Sequence, residues 1–200
     1  ILTKRSFLIY FILFYSGLTV ASSVSLDIGQ TGTVFNRFAI PNTIDDRVSL
    51  PTEDTLTSYR VTGYFNLASG NQIYVLLAPL ENEYNFRSNR NFEFADNNYI
   101  AGTDTTVKYK FNSWRIGYLW KWKSTSIDYW TGLVAKVRDA NIEVAQGSRS
   151  SAFDNVGLVP LASFGFDFRV FTNISIYSHT DALGASQGSA YDSQLELRLK

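Results

Sequence analysis

Cysteine is absent from the 200 residues, proline occurs only four times, and there is a single histidine. Without cysteine the chain can form neither a disulfide framework nor a thiolate metal site. Basic and acidic residues are balanced at 18 each, so the charge gives no sign of a nucleic-acid partner. After residue 23 no segment has 18 consecutive apolar residues, which leaves no candidate for a spanning helix there.

Aromatic side chains are abundant instead, at 16% of the chain, although the mean hydropathy is close to zero. A helical membrane protein would be far more hydrophobic, and a soluble domain seldom needs so many aromatic residues. Membrane β-barrels combine the two properties, because only their outward face meets lipid and aromatic girdles mark its two edges.

Residues 1–23 have the layout of a secretory signal peptide: a basic start, an apolar stretch at 7–20, and small residues that allow cleavage between Ala21 and Ser23. A single transmembrane helix is the alternative. The apolar stretch of about 14 residues is shorter than the roughly 20 that cross a bilayer. We therefore predict a cleaved signal peptide, 1–23, and a mature domain, 24–200, in the bacterial outer membrane.

The rest of the chain alternates between apolar and polar residues with a period of two, the pattern of β-strands. Phe164, Phe166 and Phe168, for example, are separated by small or charged residues. Residues 114–122 and 191–199 follow the same pattern. The sequence predicts an all-β protein.

Short and long polar segments predict the topology. Hairpin turns are predicted at 68–71, 112–113, 139–140 and 172–173, and longer loops at 36–55, 82–104, 147–154 and 182–190. The apolar set changes parity at 112–113, so we interpret 103–123 as two strands of membrane-crossing length. The result is a closed, antiparallel, up-and-down transmembrane barrel of about ten strands, with both termini on the periplasmic side. Residues 73–80 are apolar on both faces, which leaves their orientation open, and Pro79 predicts a strand end or a break there.

Alternation does not say which face is interior. A soluble periplasmic ligand-binding barrel would have its aromatic residues inside and its charges outside. Strand length, the alternation of short and long connections, and aromatic residues near strand ends favour the membrane. The predicted girdle has Trp114 at the periplasmic edge and Trp120 and Trp122 towards the outer edge, with Tyr129 also a member.

Several segments resemble a group of uncharacterised outer-membrane β-barrel proteins of the Gram-negative type. These are KVRDANIE at 136–143, NVGLVPL at 155–161 and FNSWR at 111–115. The resemblance implies an outer-membrane barrel and brings no catalytic residues with it. The partners expected for such a barrel are outer-membrane lipid, lipopolysaccharide and the barrel-assembly machinery.

His179 and two carboxylates form the one constellation that could support catalysis. His179 and Asp181 lie on the polar face of the predicted ninth strand, and Asp192 lies across the predicted loop 182–190. A histidine beside a carboxylate is the minimum for general acid–base chemistry. The candidate nucleophiles are Ser178, Ser186 and Ser189. An outer-membrane hydrolase or acyltransferase acting on lipid or peptide at the outer rim is therefore one candidate function.

Charged residues on the predicted inner face form a second candidate site. They are Lys136, Arg138, Glu143, Asp167, Arg169, Glu196 and Arg198. A turn at 139–140 would place Lys136 opposite Glu143 across a hairpin. Such residues either line a small selective pore or fill and brace a narrow lumen, and we expect bracing. The predicted function is structural, or limited small-solute transport, with no metal cluster or cofactor motif in the sequence.

The predicted loop 82–104 is rich in asparagine and aromatic residues, namely Tyr84, Phe86, Phe92, Phe94 and Tyr99. Such a segment could bind a surface ligand, pack over the barrel mouth, or extend the strands beyond the membrane. We expect the last of these.

Overall fold

A computed structural model describes residues 23–31, 37–38, 47–51, 56–185 and 188–199. The predicted signal peptide lies outside these residues except for Ser23, and its cleavage stays a prediction. Regular structure in the described part of the chain is all β-strand, so the predicted all-β class is confirmed. Among the same residues, no helix has the length and apolar character needed to cross a membrane.

The described residues form thirteen strands, most of which belong to one antiparallel sheet. The strands are β1 Ser23–Thr31, β2 Arg37–Phe38, β3 Val48–Ser49, β4 Leu56–Asn66, β5 Gln72–Ala78, β6 Glu81–Arg87, β7 Phe92–Phe94, β8 Asn97–Tyr99, β9 Asp104–Lys123, β10 Ile127–Gln146, β11 Arg149–Phe171, β12 Ile174–Ala185 and β13 Gly188–Leu199. The main sheet has the order β1-β4-β5-β9-β10-β11-β12-β13, and β6 also pairs with β9. The pairs β2–β3 and β7–β8 are separate.

β5 and β6 are two parts of one interrupted strand that runs along β9. The register against β9 is the same on both sides of the interruption. Pro79, which has no N–H to donate, lies in it, and the Phe111 N–H bonds the Leu80 carbonyl at 2.7 Å. The predicted break is confirmed, and the sheet has eight positions across it where the sequence predicted about ten strands.

Two predicted turns are wrong, and they account for the excess strands. Residues 112–113 lie inside β9 and residues 139–140 lie inside β10. The two strands pair without a shift from Asp128↔Lys123 to Ala145↔Thr106. Each strand is 20 residues long, about twice the length that crosses a bilayer at a tilt.

The change of parity in the apolar pattern at 112–113 is nevertheless real, because the apolar side chains move from one face of the strand to the other there. On the part of β9 that follows residue 112, Ile116 points to the convex, outer face of the curled sheet and is 60% exposed. On the part of β9 that precedes residue 112, Val107 points to the concave, inner face and is fully buried, while Lys108 is exposed. The strand is therefore apolar on the outside after residue 112, in what we call its lower part, and apolar on the inside before residue 112, in its upper part.

The upper extension consists of β2, β3, β6, β7 and β8 with residues 104–112, 139–146 and 149–156 of the three longest strands. It has a buried apolar core of the kind found in water-soluble β-proteins. The core residues are Phe38, Val48, Leu50, Tyr84, Phe92, Phe94, Tyr99, Val107 and Val144. The predicted loop 82–104 thus contains a strand, β6, that extends the sheet, and a hairpin, β7–β8, that packs on it.

The lower sheet consists of β1, β4, β5, β12 and β13 with residues 113–123, 127–138 and 157–171 of the three longest strands. Short connections at 67–71, 124–126 and 172–173 lie at its lower end, together with residues 23 and 199. The predicted turns at 68–71 and 172–173 are confirmed, as is the placement of both ends of the described chain on one side. The predicted loops 147–154 and 182–190 are largely strand, and the first of them keeps only a tight turn at 147–148.

Apolar side chains cover the convex face of the lower sheet, as the membrane interpretation predicted. Trp120 is 41% exposed, Phe166 37% and Leu197 69%. The ionisable Lys136 and Glu196 lie on the concave face. The inverse arrangement of a soluble ligand-binding barrel is not observed in the described residues of the lower sheet. On β5, Ile73, Val75 and Leu77 share the convex face, which settles the orientation that the sequence left open.

The four predicted girdle residues all lie on the convex face, but the predicted direction is wrong. Trp120, Trp122 and Tyr129 lie near the lower end, where Trp122 and Tyr129 stack with ring centroids 5.4 Å apart. Trp114 lies close to the level at which the faces exchange. The reversal follows from the missing turn at 112–113, since β9 then runs downwards along its whole length.

β1 and β13 are the two edges of the sheet, and no described residues pair them. The sheet is strongly curled, as contacts between side chains across its concave face show. Arg60 on β4 donates to Asp192 on β13 at 2.9 Å, and the hydroxyls of Tyr64 on β4 and Tyr177 on β12 are 2.6 Å apart.

The upper extension should loosen independently of the lower sheet. We expect Phe94→Ala, which removes a fully buried ring, to destabilise the extension by about 3–5 kcal/mol. Limited proteolysis should then cut within 88–103, while the lower sheet stays resistant. Ile100→Ala, at a 56% exposed position of the same segment, is the matched control. Equal protease resistance of the Phe94 variant and wild type would contradict the assignment of this core.

Candidate functional site

Arg115 is the centre of a cluster of ion pairs on the concave face. Its guanidinium donates to Asp181 at 2.6 Å and to Asp192 at 2.5 Å. Arg60 also bonds Asp192. The side chains of Arg115 and Asp181 are 3% and 0% exposed, so each of these charges depends on the other for compensation. The cluster ties together strands β4, β9, β12 and β13.

His179 lies beside this cluster and makes bonds through both ring nitrogens. Its Nδ1 is 3.3 Å from the indole nitrogen of Trp130 and 3.2 Å from the hydroxyl of Tyr64. Its Nε2 is 3.0 Å from an Asp181 carboxylate oxygen and 3.1 Å from the hydroxyl of Ser163. An indole N–H can only donate, so the hydrogen-bond network assigns the proton to Nε2, which donates to Asp181.

This geometry differs from a catalytic triad, in which the nucleophile and the carboxylate bond opposite nitrogens of the histidine. Here Ser163 and Asp181 share one nitrogen, which carries the proton and cannot accept another from the serine. His179 is also 4% exposed near the middle of β12, not at the outer rim as the sequence suggested. Ser178 and Ser189 are on the convex face, and Ser186 lies outside the described residues.

Three tyrosines complete the block around His179. Tyr64 and Tyr74 stack with ring centroids 5.3 Å apart, and Tyr74 lies 4.8 Å from the His179 ring. Tyr177 joins through the hydroxyl of Tyr64. We call the six residues Tyr64, Tyr74, Arg115, Tyr177, His179 and Asp181 the plug.

The plug lies between two cavities on the concave face. The upper cavity, about 770 Å³, is bordered by Arg115 together with Arg60, Lys136 and Arg138. The lower cavity, about 380 Å³, is bordered by Tyr64 and Tyr177 from the other side of the plug. In the described structure the plug divides the lumen on the side of β4, β9 and β12, while Asp27 on β1 borders both cavities.

The predicted lumen charges fall into separate groups. Lys136 and Arg138 border the upper cavity. Asp167, Glu196 and Arg198 border the lower one, where Arg198 bonds Glu196 at 2.7 Å and lies 3.6 Å from Asp167. Arg169 lies at the lower end, where it bonds Asp128 and the backbone of the 124–126 turn.

Glu143 is a correction to the predicted network. It lies on the outer face of the upper extension, where it accepts a hydrogen bond from Ser150 at 3.3 Å. Its register partner on β9 is Lys108, whereas Lys136 is opposite Arg115. The predicted pairing of Lys136 with Glu143 is wrong because β10 continues straight through 139–140.

Sequence reasoning assigned the plug residues Tyr64, Tyr74 and Tyr177 to no site, and the same holds for the cations Arg60 and Arg115. Both occupy the polar face of an alternating strand, which was a usable signal. Their carboxylate partners, Asp181 and Asp192, follow 66 or more positions later in the chain. Alternation gives the face of a residue but not its partner across the lumen.

No family model matches the chain, and no curated protein matches it. Two similar solved structures are both of Ail, the attachment invasion locus protein of Yersinia pestis, one of them in complex with the heparin analogue sucrose octasulfate. Their identities to this chain are 13% and 10%, with TM-scores of 0.46 and 0.45. Each match covers 89% of this chain and 96% of the Ail chain.

Proposed function

We propose that this protein is an outer-membrane β-barrel that holds the upper extension at the cell surface, with its lumen filled and braced by the plug. The observation that carries the proposal is an exchange of faces: the apolar side chains change from the outer to the inner face at the same level on neighbouring strands. Apolar side chains face outwards below Asn112 on β9 and Asp139 on β10, and inwards above them. A change of surrounding medium, from hydrocarbon to water, accounts for this exchange.

The size of the apolar belt agrees with a membrane crossing. Outward aromatic residues on β9 extend from Trp114 to Trp122. Eight steps of about 3.3 Å make about 26 Å along the strand, or about 20 Å of height at the usual tilt of membrane barrels. Polar residues follow at once: Lys110 and Asp139 form an ion pair of 2.8 Å on the outer face.

The division of the lumen favours bracing over transport. Conduction needs a continuous water-filled path, and the plug lies between the two cavities. We infer that the barrel closes through β1 and β13, because unpaired backbone groups in hydrocarbon cost several kcal/mol each. Lipid and lipopolysaccharide are the proposed partners of the convex face, and the barrel-assembly machinery is the proposed route of insertion.

The location and orientation can be tested by cysteine labelling on intact cells. The wild-type chain has no cysteine, so a single introduced thiol gives a clean signal. Asn89→Cys, near the top of the upper extension, should react with a membrane-impermeant maleimide on intact cells. Ser69→Cys, in a lower turn, should react only after lysis. Labelling in the opposite order, or recovery of the protein in the soluble periplasmic fraction, would overturn the proposal.

Two further measurements separate the parts of the proposal. The folded protein should migrate differently on gels before and after boiling, as a closed membrane barrel does. Planar bilayers containing it should show no current steps. Stepwise conductance in wild type would refute the braced lumen while leaving the membrane location intact.

A further inference from the structure

The upper cavity carries an excess of positive charge. Among the residues that border it, four are basic, Arg60, Arg115, Lys136 and Arg138, and two are acidic, Asp27 and Asp192. Asp192 is already bonded by both Arg60 and Arg115. With Asp181, which pairs with Arg115, four cations stand against three carboxylates, so one positive charge is in excess.

Lys136 and Arg138 have no carboxylate within 4.0 Å among the described residues. The ammonium of Lys136 lies 5.1 Å from the Phe111 ring, and its register partner is another cation, Arg115. Like charges opposite one another on a sheet are unfavourable unless something compensates them. An anion in the cavity would supply that compensation.

Arg138 has one guanidinium nitrogen that lacks an acceptor. One of its terminal nitrogens donates to Asn155 at 2.9 Å. Its Nε atom is buried and has no hydrogen-bond partner in the described structure. A buried guanidinium nitrogen without an acceptor is costly, and a phosphate oxygen is a well-matched acceptor for it.

We propose that the upper cavity binds a phosphate group between Lys136 and Arg138, supplied by a lipid headgroup or by free phosphate. The inference goes beyond the proposed function and rests on it only for a lipid as the source of the ligand. The shared chemistry of the two sources is a phosphate group.

Calorimetric titration of the folded protein in a non-ionic detergent tests the site. The probes are dihexanoyl phosphatidic acid and inorganic phosphate. Wild type should bind at least one of the two probes, and the one that binds more tightly identifies the source of the phosphate group. The double variant K136Q/R138Q should weaken binding of that probe about tenfold or more, since it removes charge-assisted hydrogen bonds. K108Q, on the exposed face of the upper extension, is the matched control and should bind like wild type.

Gel mobility before and after boiling is measured first on each variant, so a failure to fold is not mistaken for a loss of binding. If folded wild type binds neither probe, or if K136Q/R138Q binds the tighter probe as wild type does, the site is overturned while the membrane barrel stands. Equal affinity for inorganic phosphate and phosphatidic acid would overturn the lipid as the source of the phosphate group.

Discussion

Replacing Asp181 with alanine is expected to destabilise the protein by about 3–5 kcal/mol, the usual cost of breaking a buried ion pair by removing one partner. The change leaves Arg115, which is 3% exposed, without the fully buried one of its two carboxylate partners, and removes the acceptor of the His179 proton. Urea titration in lipid vesicles, followed by tryptophan fluorescence, measures the loss. Asp154→Ala removes an exposed carboxylate of the upper extension and should change the free energy of unfolding by less than about 0.5 kcal/mol.

A double variant separates loss of the ion pair from loss of packing. R115M/D181L replaces both charges by apolar side chains and leaves no buried charge without a partner. It should be more stable than D181A, because an unpaired buried charge costs more than the absence of a pair. An Asp181→Ala variant as stable as wild type would show that the plug does not brace the lumen.

A charge placed on the convex face of β10 should have very different costs at two positions on the same face. Leu133→Arg puts a guanidinium in the middle of the apolar belt, where Leu133 is 65% exposed. The expected cost is about 2–4 kcal/mol, the usual penalty for arginine at the midplane of a membrane barrel. Asn141→Arg, eight residues further along the same face, lies in the upper extension and should cost less than about 0.5 kcal/mol.

The two variants are compared by the same vesicle titration, with the fraction of folded protein after refolding as a second readout. Similar costs at the two positions would mean that they face the same medium. The exchange of faces would then need another explanation, and the proposed upper border of the membrane would be lost.

Alternation predicted the class of the fold and the faces of the lower sheet because both follow from a local period of two. Val61, Phe164 and Leu197 share the predicted outer face for that reason. The error at 112–113 came from treating a change of parity as a change of direction. Parity records which medium each face meets, and a straight strand that leaves the membrane changes parity without a turn.

The candidate site was only partly accessible from the sequence. His179, Asp181 and Asp192, the candidate catalytic residues of the sequence analysis, lie close together because they share the polar face of neighbouring strands. Their arrangement depends on Arg115 and Trp130, which approach from β9 and β10 across the lumen. Curvature of the whole sheet brings these groups together, and no local pattern encodes that curvature. The assignment to the outer rim failed because most of the predicted loop 182–190 is strand, which places His179 near the middle of β12.

The exchange of faces on β10 can be followed residue by residue, since the chain contains no native cysteine. Single cysteines at 129–145, each carrying an environment-sensitive fluorophore, are reconstituted in vesicles of brominated lipid. Outward positions from 129 to 137 should be strongly quenched by the bromines, inward positions 130 to 138 should not, and quenching should stop beyond Asp139. Quenching that alternates unchanged up to 145, or that is strongest at the inward positions, would contradict a sheet whose apolar side turns from lipid to a water-soluble core.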